Sequence, residues 1–289
     1  MKRTVKFGWR RDRRGASGVV VTLLVLLVAV GALSMFMSVY VPIWGKDTES
    51  KQMKRIQTQM LSLKENIDMQ VLTGKSSTMV TRLTLGDDGG PVFHLTRAPG
   101  SMALAPESGL YLVCNRSDSS DSQGMARGSI EFNSQNTYFV DQRLRYENGA
   151  LLLVQEGRTV MKASPHFEAI REMDGNLTAS ISLMSLNGAA GTRSGTGDVR
   201  VESTLDVYDV TSYSGGNWAL GKSLSLNLTT QYPAVWAGFF NDTLGRQRAG
   251  LVQGTDYSVS LWSGGVNATI FNVNRLELGI AVVDIQLEM

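Results

Sequence analysis

The sequence predicts a mainly β protein with one long N-terminal α-helix, in which a transmembrane helix and a stalk lead into an antiparallel β-sandwich-like head. Three observations predict it. Residues 15–45 carry no charge, residues 46–72 repeat apolar side chains at helical spacing, and beyond Gly74 the apolar period falls from 3.6 towards 2. The chain therefore divides into a basic leader over 1–15, a membrane helix over 16–45, an amphipathic stalk over 46–74 and a β-rich domain over 75–289.

Charge is distributed unevenly along the chain. Of 28 Lys and Arg, seven (Lys2, Arg3, Lys6, Arg10, Arg11, Arg13, Arg14) lie before Gly15, beside one acid, Asp12. The remaining chain holds 21 basic and 25 acidic residues, a net charge of −4. An acidic remainder argues against nucleic acid as a partner. One cysteine, Cys114, and two histidines, His94 and His166, exclude an internal disulfide framework and cysteine- or histidine-rich metal centres. No cofactor is expected.

As a helix, the uncharged run would extend about 46 Å, against roughly 30 Å of hydrocarbon. A single span over Val19–Tyr40 follows, longer than the ~7–15 apolar residues of a secretory signal. The basic flank before it places the N-terminus in the cytoplasm and everything after Gly45 outside the cell membrane. Tyr40 and Trp44 suit the outer interface, where an amphipathic ring stays half wet.

The junction before the span is more specific. Arg-Arg-Asp-Arg-Arg-Gly-Ala-Ser over 10–17 directly precedes the apolar run. This resembles the class III leader of archaeal type IV pilin-like proteins: a short basic leader, a glycine, a small residue, then the hydrophobic helix. The resemblance implies cleavage by a prepilin peptidase between Gly15 and Ala16, and other pilin-like subunits as partners. Val20 stands where bacterial-type pilins carry a glutamate. The alternative reading is an uncleaved single-span anchor.

Pro42 and Gly45 are expected to break or bend the helix as it leaves the membrane. In the stalk, Met53, Ile56, Met60, Leu63 and Ile67 recur at spacings of three and four and share one face. That stripe packs either on the protein's own head or on neighbouring subunits, and Thr73-Gly74 ends the helix. Strands are predicted at Met79–Leu85, Gly109–Cys114, Ser129–Phe132, Tyr138–Tyr146, Ala150–Gln155, Leu177–Leu186, Val199–Tyr208, Ser223–Thr230, Tyr257–Trp262, Ala268–Asn272 and Ile280–Leu287. Asn148-Gly149 between two of these runs is the clearest hairpin signal, since a type I′ turn needs positive φ twice. Ala234–Phe240 after Pro233 suits a short helix, and Ser117–Gly124 and Asn187–Gly197 read as polar loops.

Five N-glycosylation sequons begin at Asn115, Asn176, Asn227, Asn241 and Asn267, all beyond the span. With 13 Asn and 49 Ser and Thr, chance supplies about two such triplets. Catalytic motifs fare worse. Gly216–Ser223 matches G-x-x-x-x-G-K-[ST], and Ile280–Asp284 could pose as its companion acidic strand. The residues that follow, however, alternate Leu224, Leu226 and Leu228 with Ser225, Asn227 and Thr229, whereas a phosphate loop must open a helix. No nucleotide is expected. Asp87-Asp88-Gly89-Gly90 lacks the alternating ligands of a calcium loop. His94 sits in an apolar run, His166 follows Ser164-Pro165, and Cys114 behaves as a small buried hydrophobe. No catalytic or metal residue is assigned.

Leu144-Arg-Tyr-Glu-Asn-Gly-Ala, Val160, Phe167, Asn176–Ser182 and Ser194–Val201 resemble an archaeal family of membrane-anchored surface proteins with a pilin-like first helix and a β-rich exterior. With the leader included, the resemblance spans roughly residues 10–210. It implies architecture and location and carries no active site. The expected function is a non-enzymatic, pilin-like or pseudopilin-like surface protein acting in assembly, adhesion or envelope contact. The alternative is an anchored binding module for a glycan or envelope partner.

Overall fold

A computed structural model describes residues 13–86, 98–107, 111–117, 122–173, 175–214, 222–245 and 250–288. From Arg13 to Thr73 the backbone is one helical rod: α1 (Arg13–Met35), a π-turn (Phe36–Tyr40) and α2 (Val41–Thr73). The rod runs through both expected breaks. At Pro42 the π-turn explains this: the Val41 N–H bonds to the Phe36 carbonyl five residues back, so Pro42 falls in the first turn of a fresh α segment. Its missing N–H costs no bond there. Gly45 is buried under the ring of Tyr138, where a Cβ would lie 2.2 Å from a ring carbon. It serves close approach, not bending. The rod ends at Gly74, in the left-handed region at φ +61°, whose N–H bonds back to Gln70 and Val71.

Numbered along the chain, the described strands form three sheets. The first runs β1 (Thr78–Thr84), β12 (Asp198–Ser214), β16 (Arg275–Glu288), β10 (Leu177–Asn187), β9 (Phe167–Arg171). The second runs β11 (Gly191–Gly195), β2 (Gly100–Ala105), β5 (Ser129–Ser134), β6 (Gln142–Glu147), β7 (Ala150–Gln155), β8 (Arg158–Ala163). The third runs β14 (Tyr257–Trp262), β15 (Gly265–Val273), β13 (Lys222–Thr229), β3 (Tyr111–Arg116), β4 (Ser122–Arg127). Neighbouring strands are antiparallel except β10 and β16, which run parallel from Thr178 opposite Arg275 to Asn187 opposite Asp284.

The helix α2 lies between the first two sheets. All five residues of its predicted stripe are at most 3% exposed, packed with Leu83, Phe132, Leu144, Tyr146, Val201 and Val283. The stripe thus packs on the protein's own head. Polar residues beside it close the outer edge of β1: Gln52 Nε2 donates to the Thr84 carbonyl, and Gln59 Oε1 accepts the Thr84 N–H. An unpaired strand edge is thereby covered.

A second core joins the third sheet, β10, β16 and α3 (Pro233–Leu244), around Leu224, Leu226, Leu228, Trp236 and Phe240. The parallel pair serves both. Ala179, Ile181 and Leu183 of β10 face the second core while Met184 and Leu186 face the first, and Leu276 and Leu278 of β16 likewise give way to Val283 and Ile285. The alternation changes phase midway because the sheet is covered on opposite faces at its two ends, which suits a parallel pair.

The predicted hairpin forms at Asn148 (φ +44°) and Gly149 (φ +74°). Three segments depart from expectation. The strand predicted from Tyr138 begins at Gln142, because the amides of 137–139 turn towards α2. Both predicted polar loops contribute strands, β4 and β11, whose Ser- and Gly-rich composition is overridden by pairing with β3 and β2. No strand is predicted at β2, β8 or β9, which pair with β5, β7 and β10.

Two measurements check this packing. Leu63→Ala removes a fully buried side chain from the first core and should lower head stability by about 3 kcal/mol, read by denaturant unfolding in detergent. Burial pushes the Cys114 thiol up to about 12. A thiol reagent at pH 8 should therefore leave native protein unlabelled and react once it is unfolded.

Candidate functional site at the helix–head junction

The most apolar window of the rod has a mean hydropathy of 2.8 and is wholly exposed, and among the described residues this is the one helix long and apolar enough to cross a membrane. The same rod becomes core once it enters the head. The change falls between Phe36 and Glu49.

On the exposed side, Phe36, Tyr40 and Trp44 recur every fourth residue and meet at ring centroid distances of 5.7 Å, one stacked and one edge-on. Tyr40 and Trp44 remain about half exposed. An aromatic cluster of this kind suits a boundary between hydrocarbon and water. The first charged residues after the run, Lys46 and Asp47, follow within a turn, and Asp47 pairs with Lys51 at 2.6 Å.

On the buried side, Glu49 is 3% exposed and faces the bend between β5 and β6. Its carboxylate accepts the backbone N–H groups of Thr137 at 2.9 Å, Tyr138 at 2.8 Å and Phe139 at 2.6 Å. Three convergent amides replace the water the carboxylate loses and partly balance its charge. With Tyr138 seated on Gly45 one turn earlier, the head grips the rod where it emerges. Nothing in the sequence distinguishes Glu49 from a solvated helix charge. Its partner amides lie about 90 residues on, in a segment with strand-like composition.

A second buried charge cluster joins the sheets. Arg145 Nε meets Glu147 at 2.7 Å, and Arg145 Nη1 meets Glu131 at 2.9 Å. Glu147, fully buried, also accepts Trp236 Nε1 at 2.7 Å and Thr230 Oγ1 at 3.0 Å. This fastens α3 to the second sheet. At the hairpin tip, Asn148 Oδ1 accepts the Met184 N–H at 2.8 Å, which anchors the turn on β10. The Leu144–Ala150 motif is therefore a structural joint.

A cleft of about 200 Å³ opens between the last turns of α2 and strands β10, β12 and β16, bordered by Asp68, His166, Ser180, Ser182, Tyr208 and Glu277. Burial raises the Asp68 carboxyl from its ordinary value, against the pull of its Lys64 partner. No side-chain hydrogen bond among the described residues joins His166 to either serine, so the cleft presents polar groups without a linked nucleophile and base. His166 lies exposed after Pro165, and Cys114 is buried. Among the described residues, no group of three or more His, Cys, Asp or Glu is gathered to hold a metal.

Other motifs are dispersed. Lys222 and Ser223 open β13, so no helix follows the glycine-rich segment, and Ile280–Asp284 lies in β16 of a different sheet. Residues 216–221, Asp87–Gly90 and His94 lie outside the described residues. Gly15 and Ala16 have their backbone in the first turns of α1. Among the sequons, Asn115, Asn227 and Asn267 lie on strands of the third sheet, Asn176 on an exposed turn before β10, and Asn241 within α3. No family model, curated protein or solved structure matches the chain.

Replacing Glu49 with Ala leaves three amides without an acceptor. Stability should fall by about 2–3 kcal/mol, and hydrogen exchange at Thr137–Phe139 should quicken while the β10–β16 seam stays protected.

Proposed function

We propose that this chain is an archaeal-type, pilin-like surface protein held by a single membrane span, with its N-terminus cytoplasmic and its head outside, acting through assembly, adhesion or envelope contact instead of catalysis. One observation carries the reading. A single unbroken helix is bare and apolar over its first half and serves as the core of a β head over its second. A bare apolar half-helix needs either lipid or the equivalent helices of neighbouring subunits around it. Both are supplied to a protein that is first anchored and then assembled. The junction over 10–17 supports processing between Gly15 and Ala16 by a prepilin peptidase, with other pilin-like subunits as partners. The seven basic residues before the run support the orientation. The five sequons, all on the outward side in this topology, support a glycoprotein.

The test is a mass measurement on protein isolated from its own membranes. Wild type should begin at Ala16. Gly15→Val puts a branched side chain at the scissile position and should yield a protein heavier by the leader, still membrane-bound because Val19–Tyr40 is untouched. Equal masses with both leaders intact would remove the processing step and leave an uncleaved anchor carrying a binding module.

A further inference from the structure

Three sequons share one surface. Asn115, Asn227 and Asn267 project from the outer face of the third sheet, because their neighbours Cys114, Leu226, Leu228, Val266 and Ala268 point into the second core. Asn227 and Asn267 stand directly opposite each other across β13 and β15. Their amides are not equivalent. Thr269 Oγ1 donates to Asn267 Oδ1 at 2.8 Å, which turns the Asn267 nitrogen towards β13. There Nδ2 donates to Ser225 Oγ at 2.8 Å and to Asn227 Oδ1. Both amide protons of Asn267 are thus committed. Asn227 takes part only through its oxygen, and its nitrogen has no hydrogen-bond partner among the described residues.

We propose that the outer face of the third sheet is the glycan-bearing face of the head, and that Asn227, not Asn267, is the member of the pair whose glycosylation the native fold accepts. The proposal rests on the exported topology above. In the transfer, a bond forms between Asn227 Nδ2 and the anomeric carbon of a sugar delivered on a polyprenyl phosphate carrier. The carbon–oxygen bond to the carrier phosphate breaks, its electron pair leaves with the phosphate, and one Nδ2 proton is released. Nothing is oxidised or reduced. At Asn227 the product keeps Oδ1 free to accept from Asn267, so the ladder of side-chain amides and hydroxyls survives. At Asn267 the same reaction removes one of two engaged protons and sets a sugar over Ser225 or Asn227.

Because β13 is paired on both sides, by β15 and β3, a glycan on either asparagine must be compatible with the closed sheet. Two other sequons contrast with Asn227. Asn241 has its Oδ1 buried without a partner inside α3, which disfavours a glycan there, whereas Asn176 is exposed before β10, away from the third sheet.

Glycopeptide mass spectrometry on protein from its own membranes tests this. Occupancy at Asn227 should exceed that at Asn267 severalfold, because only the Asn267 product loses a hydrogen bond that the closed sheet makes. Thr229→Ala, at an exposed position, destroys the sequon while keeping the Asn227 amide; it should remove that glycan mass without unfolding the head or raising occupancy at Asn267. Equal or greater occupancy at Asn267 would overturn the proposal. So would a bare Asn227 in a head that external protease digests in spheroplasts. A head fully protected from that protease would overturn the exported topology and the proposal with it.

Discussion

The head is organised around five side chains of one helix: Met53, Ile56, Met60, Leu63 and Ile67. They form a stripe along one face of α2, and the first two sheets close over it from both sides. Without the helix, the inner faces of those sheets would have no common partner, and β1 would present an uncovered edge. Yet the helix does not belong to the head alone. Two turns before the stripe its surroundings change completely, and every device near Gly45 manages that change: a π-turn that absorbs Pro42, a glycine that admits Tyr138, and a carboxylate held by three amides.

Long periodic segments were legible in the sequence. Twenty-seven residues of helical stripe, an uncharged run of 31 and an Asn-Gly turn each carry a signal that local physics alone produces. The elements without a local signal depend on distant partners. Neither β4 nor β11 has strand-like composition, and each exists because a neighbour offers a ladder. The segment at Tyr138 shows the reverse case, since Glu49 claims amides that composition assigns to a strand. The sequon asparagines were all visible, but which surface they share was not; that requires knowing that β3, β13 and β15 lie side by side. The polar cleft beside His166 had no sequence signal, since its border is drawn from α2, three strands and a loop.

Charge is used inside the head as a fastening. Glu49 joins helix to loop, and the Arg145–Glu147–Trp236 cluster joins sheet to helix. Burying such groups is costly unless each is fully bonded, and here their neighbours supply amides, an indole and a guanidinium. Apolar contacts could hold the same elements together but would tolerate small slips between them. A buried carboxylate with three fixed donors does not, which gives the rod one position relative to the head.

The shared seam also has a consequence in time. A chain made from its N-terminus presents α2 early, and the strand that finishes both cores, β16, follows every other described strand. Until Arg275–Glu288 arrives, β10 lacks its parallel neighbour and β12 one of its two, so neither core can close. Some 200 residues thus separate the helical stripe from the strand that completes its shelter, a topology of high contact order and slow closure. Over that interval the nascent head would carry an unsheltered apolar stripe beside unpaired edges, the combination most prone to misassociation. A sheltering factor at the site of synthesis would serve this fold better than added native stability.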